Sequence, residues 1–156
     1  MKKGNCKTKG KKLFGGIYVH EDGQTPNLVG DTLEKEVLTA MFKGQRTINH
    51  VTVKVGQIAD AFNKATNLSD LIESTNYTPV TLDVPSTTDW DVVADESLAY
   101  SIQTRQLTFK VSGGDCQYNC FYIVDQDNNL LSVSAKLANV VTKTTDFTAY
   151  YKFYCL

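Results

Sequence analysis

The side chains able to do chemistry in this 156-residue chain are four cysteines, two histidines and a concentration of carboxylates. Cys116 and Cys120 stand with three residues between them, while Cys6 and Cys155 lie near opposite ends of the chain. A structural zinc site announces itself by Cys-x2-Cys pairs, and this spacing is looser. A four-thiolate site would need the N-terminal arm to reach the last strand. Free thiols at a turn and a strand end are the plainer reading, and no metal is expected. Asp125, Asp127 and Asn129 fit the first three ligand positions of an EF-hand loop. Leu130 then stands where that loop needs Gly and Lys136 where it needs a closing Glu, so a polar hairpin turn is expected instead. Asp89, Asp91, Asp95 and Glu96 are either an irregular oxygen site for a cation or a solvated acidic loop. A metal-dependent hydrolase or nuclease would have to use that cluster. His20 and His50 sit in no nucleophile elbow or catalytic cysteine motif. Gly15-Gly16 and Gly113-Gly114 lack the patterns that cradle phosphate. The chain is therefore expected not to be an enzyme and to carry no cofactor.

The elements that would position these residues are mostly strands. Leu98, Tyr100 and Ile102 alternate with polar or small residues, and so do Leu107, Phe109 and Val111. This period of two marks strands with one buried face. The apolar parity flips between Ile102 and Leu107, which predicts a turn or bulge near Thr104-Arg105. Phe121–Val124 and Leu131–Leu137 flank a turn-rich stretch at 125–129 and predict a hairpin. Phe147–Cys155 carries aromatic residues at both parities and predicts a last strand covered on both sides. Residues 98–156 hold ten of the sixteen aromatics.

Earlier in the chain, Leu13–His20 predicts a strand closed by Glu21-Asp22-Gly23, and 24–30 a loop. Asp31-Thr32-Leu33-Glu34 reads as a capping box opening a helix that ends at Gly44, with Leu33, Val37, Leu38 and Met41 on one core-facing side. Val51, Val53 and Val55 predict a strand. Gln57–Thr75 has apolar residues at helical spacing and predicts a second amphipathic helix, single or broken near Asn67. Val80–Val84 predicts a short strand between two prolines, and 86–96 an acidic loop. The expected fold is α+β: an antiparallel β-sandwich or barrel-like sheet with two short amphipathic helices, forming one domain over 13–156 behind a flexible basic arm of residues 1–12.

Charge is strongly polarised, although the net value is only −1. Residues 1–12 hold six lysines and no acid, while 60–96 hold eight acids and one lysine. The arm cannot bury enough apolar surface to offset its ordering entropy. Lys2, Lys3, Lys7, Lys9, Lys11 and Lys12 are candidate partner contacts, either as a strap on a neighbouring subunit or as a phosphate-binding arm; the alternative is a solubilising tail. Trp90, the sole tryptophan, is either a core plug under the acidic loop or an interface anchor flanked by Asp89 and Asp91. No apolar run reaches the ~20 residues of a membrane span. No apolar core of a signal peptide follows Met1-Lys2-Lys3, so assembly inside a cell and reduced thiols are expected.

The Lys/Gly-rich arm, the Asp31-Thr32-Leu33-Glu34 helix start followed by the Thr47–Val55 strand, and the hairpin Phe121–Leu131 resemble the small head-auxiliary, or decoration, proteins of tailed bacteriophages. Asp146-Phe147-Thr148-Ala149-Tyr150-Tyr151 as a closing strand is similar to head-fibre-type proteins. The resemblance implies a non-enzymatic virion protein, assembled in the host cytoplasm and bound outside the capsid to stabilise or bridge its subunits. Its partners would be the major capsid protein or other virion proteins, with self-association open to it. No single binding residue is carried over. The alternative is a small adaptor or regulator that binds nucleic acid through the arm. The acidic 60–96 segment would repel that polyanion, which makes nucleic acid a poor partner.

Overall fold

The computed structural model describes residues 14–20, 23–29, 31–61, 66–94, 100–134 and 136–155. The basic arm, with its six lysines and Cys6, lies outside them. The protein is built around β10 (Cys120–Asp125), every residue of which is buried. Its side chains serve two cores: Phe121 and Ile123 face one, Cys120, Tyr122 and Val124 the other. A strand buried on both faces reads as a continuous apolar run, as Phe121–Val124 does.

Antiparallel neighbours flank β10 on both sides: β3 (His50–Ile58) and β11 (Leu130–Ser134). Beyond β3 lie two short strands, β5 (Val80–Asp83) along its first half and β4 (Leu71–Glu73) along its last three residues. Beyond β11 the order continues through β2 (Gly23–Val29), β1 (Phe14–His20), β13 (Phe147–Cys155), β7 (Tyr100–Thr104) and β6 (Trp90–Ala94). β8 (Leu107–Phe109) pairs with the start of β13. Every pair is antiparallel, and the eleven strands curl into a half-barrel. A separate two-stranded ladder joins β9 (Cys116–Tyr118) to β12 (Val141–Lys143). One helix, α1 (Asp31–Lys43), crosses from β2 to β3. Among the described residues no helix is long and apolar enough to cross a membrane.

The parity flip has its physical cause in a bulge. Gln103 opposes Lys152 and Leu107 opposes Ala149, so one strand carries one residue more than its partner between these pairs. The irregularity exchanges the faces of β7 and β8 while both stay on β13. It is pinned where the Tyr151 N–H donates to Thr104 Oγ1 at 3.0 Å.

The described residues depart from the sequence expectation in several places. The second helix is not found among them. Gln57 and Ile58 continue β3, Leu68–Asp70 is a single 3-10 turn, and Leu71–Glu73 returns as β4. Ile58, Leu68 and Leu71, whose spacing looked helical, meet instead in the outer core. Gly56 permits this return, because a Cβ there would lie 2.6 Å from the Ile72 carbonyl oxygen. Residues 23–29 are a strand, not a loop. Pro26 lies just outside the stretch 27–29 that pairs with β11, so its missing N–H costs that ladder nothing. Residues 90–94 of the acidic loop are strand β6, paired along its whole length with β7.

Candidate functional site

The inner face of the half-barrel is sealed at one end by aromatic rings. Phe147 stacks on Phe109 at 5.0 Å and on Tyr118 at 5.3 Å, and Phe121 meets Tyr118 edge-on at 4.8 Å. At the other end the seal is incomplete, and a groove of about 610 Å³ remains. Its floor is Val51, Ile123 and Leu131, one from each of β3, β10 and β11. One wall is the flank of α1, where Leu33, Val37, Ala40 and Met41 recur at helical spacing. The opposite wall is Trp90 and Val92 of β6, Ile102 of β7 and Phe153 of β13.

Each wall is held by polar groups that bond within the chain. Gly44 ends α1 in the left-handed conformation, φ +64°, donating its N–H to the Ala40 carbonyl at 3.2 Å. Glu36 then ties the helix to the segment entering β3. Its Oε1 accepts the N–H groups of Thr47 and Ile48 at 2.6 and 2.9 Å, and its Oε2 accepts the Thr47 hydroxyl at 2.7 Å. Burial pushes the Glu36 carboxyl up, but these donors and the nearby Arg46 outweigh it and hold the group below its ordinary value. On the far wall Trp90 Nε1 donates to the Asp83 carbonyl at 2.7 Å, and its ring lies 6.3 Å from that of Phe153. Asp89 braces the same corner: Oδ2 accepts the Asp83 N–H at 2.9 Å and Oδ1 accepts Arg105 Nε at 2.8 Å. Arg105 belongs to the bulge, and its own N–H donates to the Asp89 carbonyl at 2.8 Å. Burial raises the Asp89 carboxyl, yet the Asp83 N–H, Arg105 and Ser86 together leave it below its ordinary value.

The candidate partner contacts of the acidic segment thus divide. Trp90 is half-buried and lines the groove wall. Asp89 is turned inward as a brace, and Asp91 alone of the three is exposed. Asp95 and Glu96 lie outside the described residues. Asp125, the first position of the calcium-loop pattern, is buried and closes its own hairpin. Its Oδ1 accepts the N–H groups of Asp127 and Asn129 at 2.9 and 2.8 Å, and the Asn129 amide bonds both carboxylate oxygens. Cys116 and Cys120 are free thiols pointing into different cores, so they do not converge on one ion. Burial raises both thiols, Cys120 to about 12. Among the described residues no three His, Cys, Asp or Glu side chains are placed to share a metal ion. The Cys155 and His20 side chains are not among those described, and His50 is half-buried opposite Asp83 at the start of β3.

Sequence reasoning missed the groove because it assigned α1 a plain core face. Leu33 and Val37 are half-buried as expected, but Leu38 and Met41 are exposed at 45% and 70%, and Phe42 at 77%. The available signal was the Leu38–Phe42 pair, four residues apart, beside the Leu33–Val37–Ala40 stripe. The two together make the helix apolar on more surface than one sheet can cover. Comparison of the chain with protein families, curated proteins and solved structures finds no match.

Proposed function

We propose that the protein is a non-enzymatic attachment module, an auxiliary virion protein bound to the outside of a tailed-phage capsid, where it stabilises or bridges shell subunits. The observation that carries the reading is the apolar groove with its exposed rim. Besides the α1 residues, Val92 and Tyr100 stand at 68% and 67% exposure on the opposite wall. A contiguous apolar surface rimmed by polar residues marks a place where a protein, a membrane or an apolar ligand binds, and the first of these is the reading proposed. Glu36, the carboxylate in the groove's lining, supports the same direction, since it is engaged in tying α1 to the segment entering β3. The six-lysine arm of residues 1–12 would add a second, salt-sensitive contact to acidic surface on a neighbour. Exposed ion pairs are each worth about 0.2–1 kcal/mol, so the arm acts by number and no one lysine dominates.

Mass spectrometry of purified particles tests the reading. The chain should be present at a copy number that scales with shell subunits. Its absence from the particle would remove the proposal. Deleting residues 1–12 should leave the fold intact and weaken attachment most at low salt.

A further inference from the structure

The interior of the groove is finished as hydrocarbon. Glu36, Ser86, Trp90 and Ser101 line it, but their polar atoms bond within the chain. Both Glu36 oxygens are taken by Thr47 and Ile48, and Trp90 Nε1 donates to the Asp83 carbonyl. Ser101 Oγ donates to the Val93 carbonyl at 3.3 Å, and Ser86 Oγ accepts the Asp89 N–H at 3.0 Å. The lining residue Arg46 differs. It is exposed, it follows the end of α1, and among the described residues its guanidinium makes no hydrogen bond or salt bridge. Its charge acts through space on Glu36, whose own charge is already held by three donors. Lys43, the last residue of α1, is a second exposed cation nearby in the chain.

A hydrocarbon interior with few polar groups is the make-up of a small-molecule site, and about 610 Å³ falls within the ~300–1,000 Å³ that such sites enclose. An apolar recess left open forfeits the dispersion contacts its walls would make with an occupant and leaves their hydrocarbon in water. A small polar ligand gains little from these walls, because the groups that would orient it are already bonded. A purely apolar ligand leaves the Arg46 guanidinium unused. A single alkyl chain ending in a carboxylate meets both conditions. The chain packs against floor, walls and the methylene stem of Arg46, and the planar guanidinium takes the carboxylate oxygens. We propose that the groove binds one anionic single-chain amphiphile of the fatty-acid class, its alkyl chain on the floor of Val51, Ile123 and Leu131 and its carboxylate at Arg46. Leu38 and Phe42 stand outside the lining and stay exposed when the groove is filled. The inference therefore goes beyond attachment to a capsid and does not rest on it.

Trp90 is the sole tryptophan and lines the groove, so its fluorescence reports occupancy. Decanoate, decanol and decylammonium, each below its aggregation concentration, are titrated into the full chain. Decanoate should bind saturably, one per chain by native mass spectrometry, and more tightly than either of the others. Arg46→Met keeps an apolar stem and removes the charge at an exposed position, so circular dichroism should not change. It should weaken decanoate binding ~10-fold or more and leave decanol unchanged. Ala40→Met narrows the groove from the α1 flank with a residue that suits a helix, and should weaken decanoate and decanol alike. No saturable change in Trp90 fluorescence up to ~1 mM decanoate overturns the proposal. So does equal binding of decanol or decylammonium, or an Arg46→Met variant with wild-type affinity for decanoate. A folded Ala40→Met variant that binds decanoate as wild type does overturns it too, since the ligand then lies elsewhere.

Discussion

Replacing Asn119 by Ala should be among the most damaging single changes in the protein. Asn119 is buried in the step between β9 and β10. Its Oδ1 accepts the Ile58 N–H at 2.9 Å, and its Nδ2 donates to the Ile58 carbonyl at 3.0 Å. Ile58 is itself buried, so truncation strips both of its backbone groups of a partner at once. An unpaired buried backbone group costs about 1–3 kcal/mol. Two of them would set a ceiling of about 6 kcal/mol, which local relaxation at the end of β3 would lower. The expected loss is about 2–4 kcal/mol, which for a chain of this size lowers Tm by roughly 5–15 °C. Urea titration followed by far-ultraviolet circular dichroism measures the first figure and calorimetry the second. Asn119→Asp separates the two bonds: it keeps an acceptor for the N–H but sets a carboxylate against the carbonyl, and it should be at least as harmful as Ala. A loss of less than about 0.5 kcal/mol for Asn119→Ala, the range of an ordinary surface change, would refute the idea that this side chain clamps the end of β3.

Gly56→Ala should cost about 1–3 kcal/mol in the same titration, since the new methyl would press on the Ile72 backbone and the Tyr122 ring and separate β4 from β3; unchanged stability would show that β4 moves freely. The Asp89 carboxyl is lowered on folding, so the folded state releases its proton more readily than the unfolded chain. Its stabilisation is therefore complete above the ordinary aspartate value and lost as pH falls through the lower, folded value. Arg105→Met should reduce that loss on acid titration of stability, and identical acid profiles for the two proteins would contradict the brace. Cys116 and Cys120, buried and with raised thiols, should resist alkylation at neutral pH in the native protein and react fully in denaturant, as read by peptide mass spectrometry. Rapid native labelling of either would mean that its core opens.

The legible parts of the fold were those where local pattern and final neighbours agree. Leu107, Phe109 and the closing strand alternate because one face meets the aromatic core, and the flip at Thr104-Arg105 marked a bulge that exists. The misread parts are those where pairing overrides composition. Gln24, Thr25, Pro26 and Asn27 have little strand character, yet β1 pairs with all four, and β11 takes up the other side from Asn27 onward. Ile58, Leu68 and Leu71 match a helical spacing as well as they match a tight return, and periodicity alone does not separate the two. The groove was illegible for a further reason. Its floor, flank and far wall come from segments spread between Leu33 and Phe153, and only the curl of the sheet brings them together.

That curl leaves the two faces of the central strands unequally covered. The outer face is closed by residues close in sequence to the strands they cover: Leu68 and Leu71 lie within about fifteen residues of the end of β3, and Leu130 opens β11. Short connections of this kind close tightly, because little chain entropy opposes them. The inner face depends at its open end on one helix, α1, whose described side-chain attachment to the next segment is the Glu36 carboxylate. A single thirteen-residue helix presents one flank to a curved sheet and leaves its other side in water. Here that other side carries Leu38 and Phe42, where a helix finished as a monomer surface would carry charge.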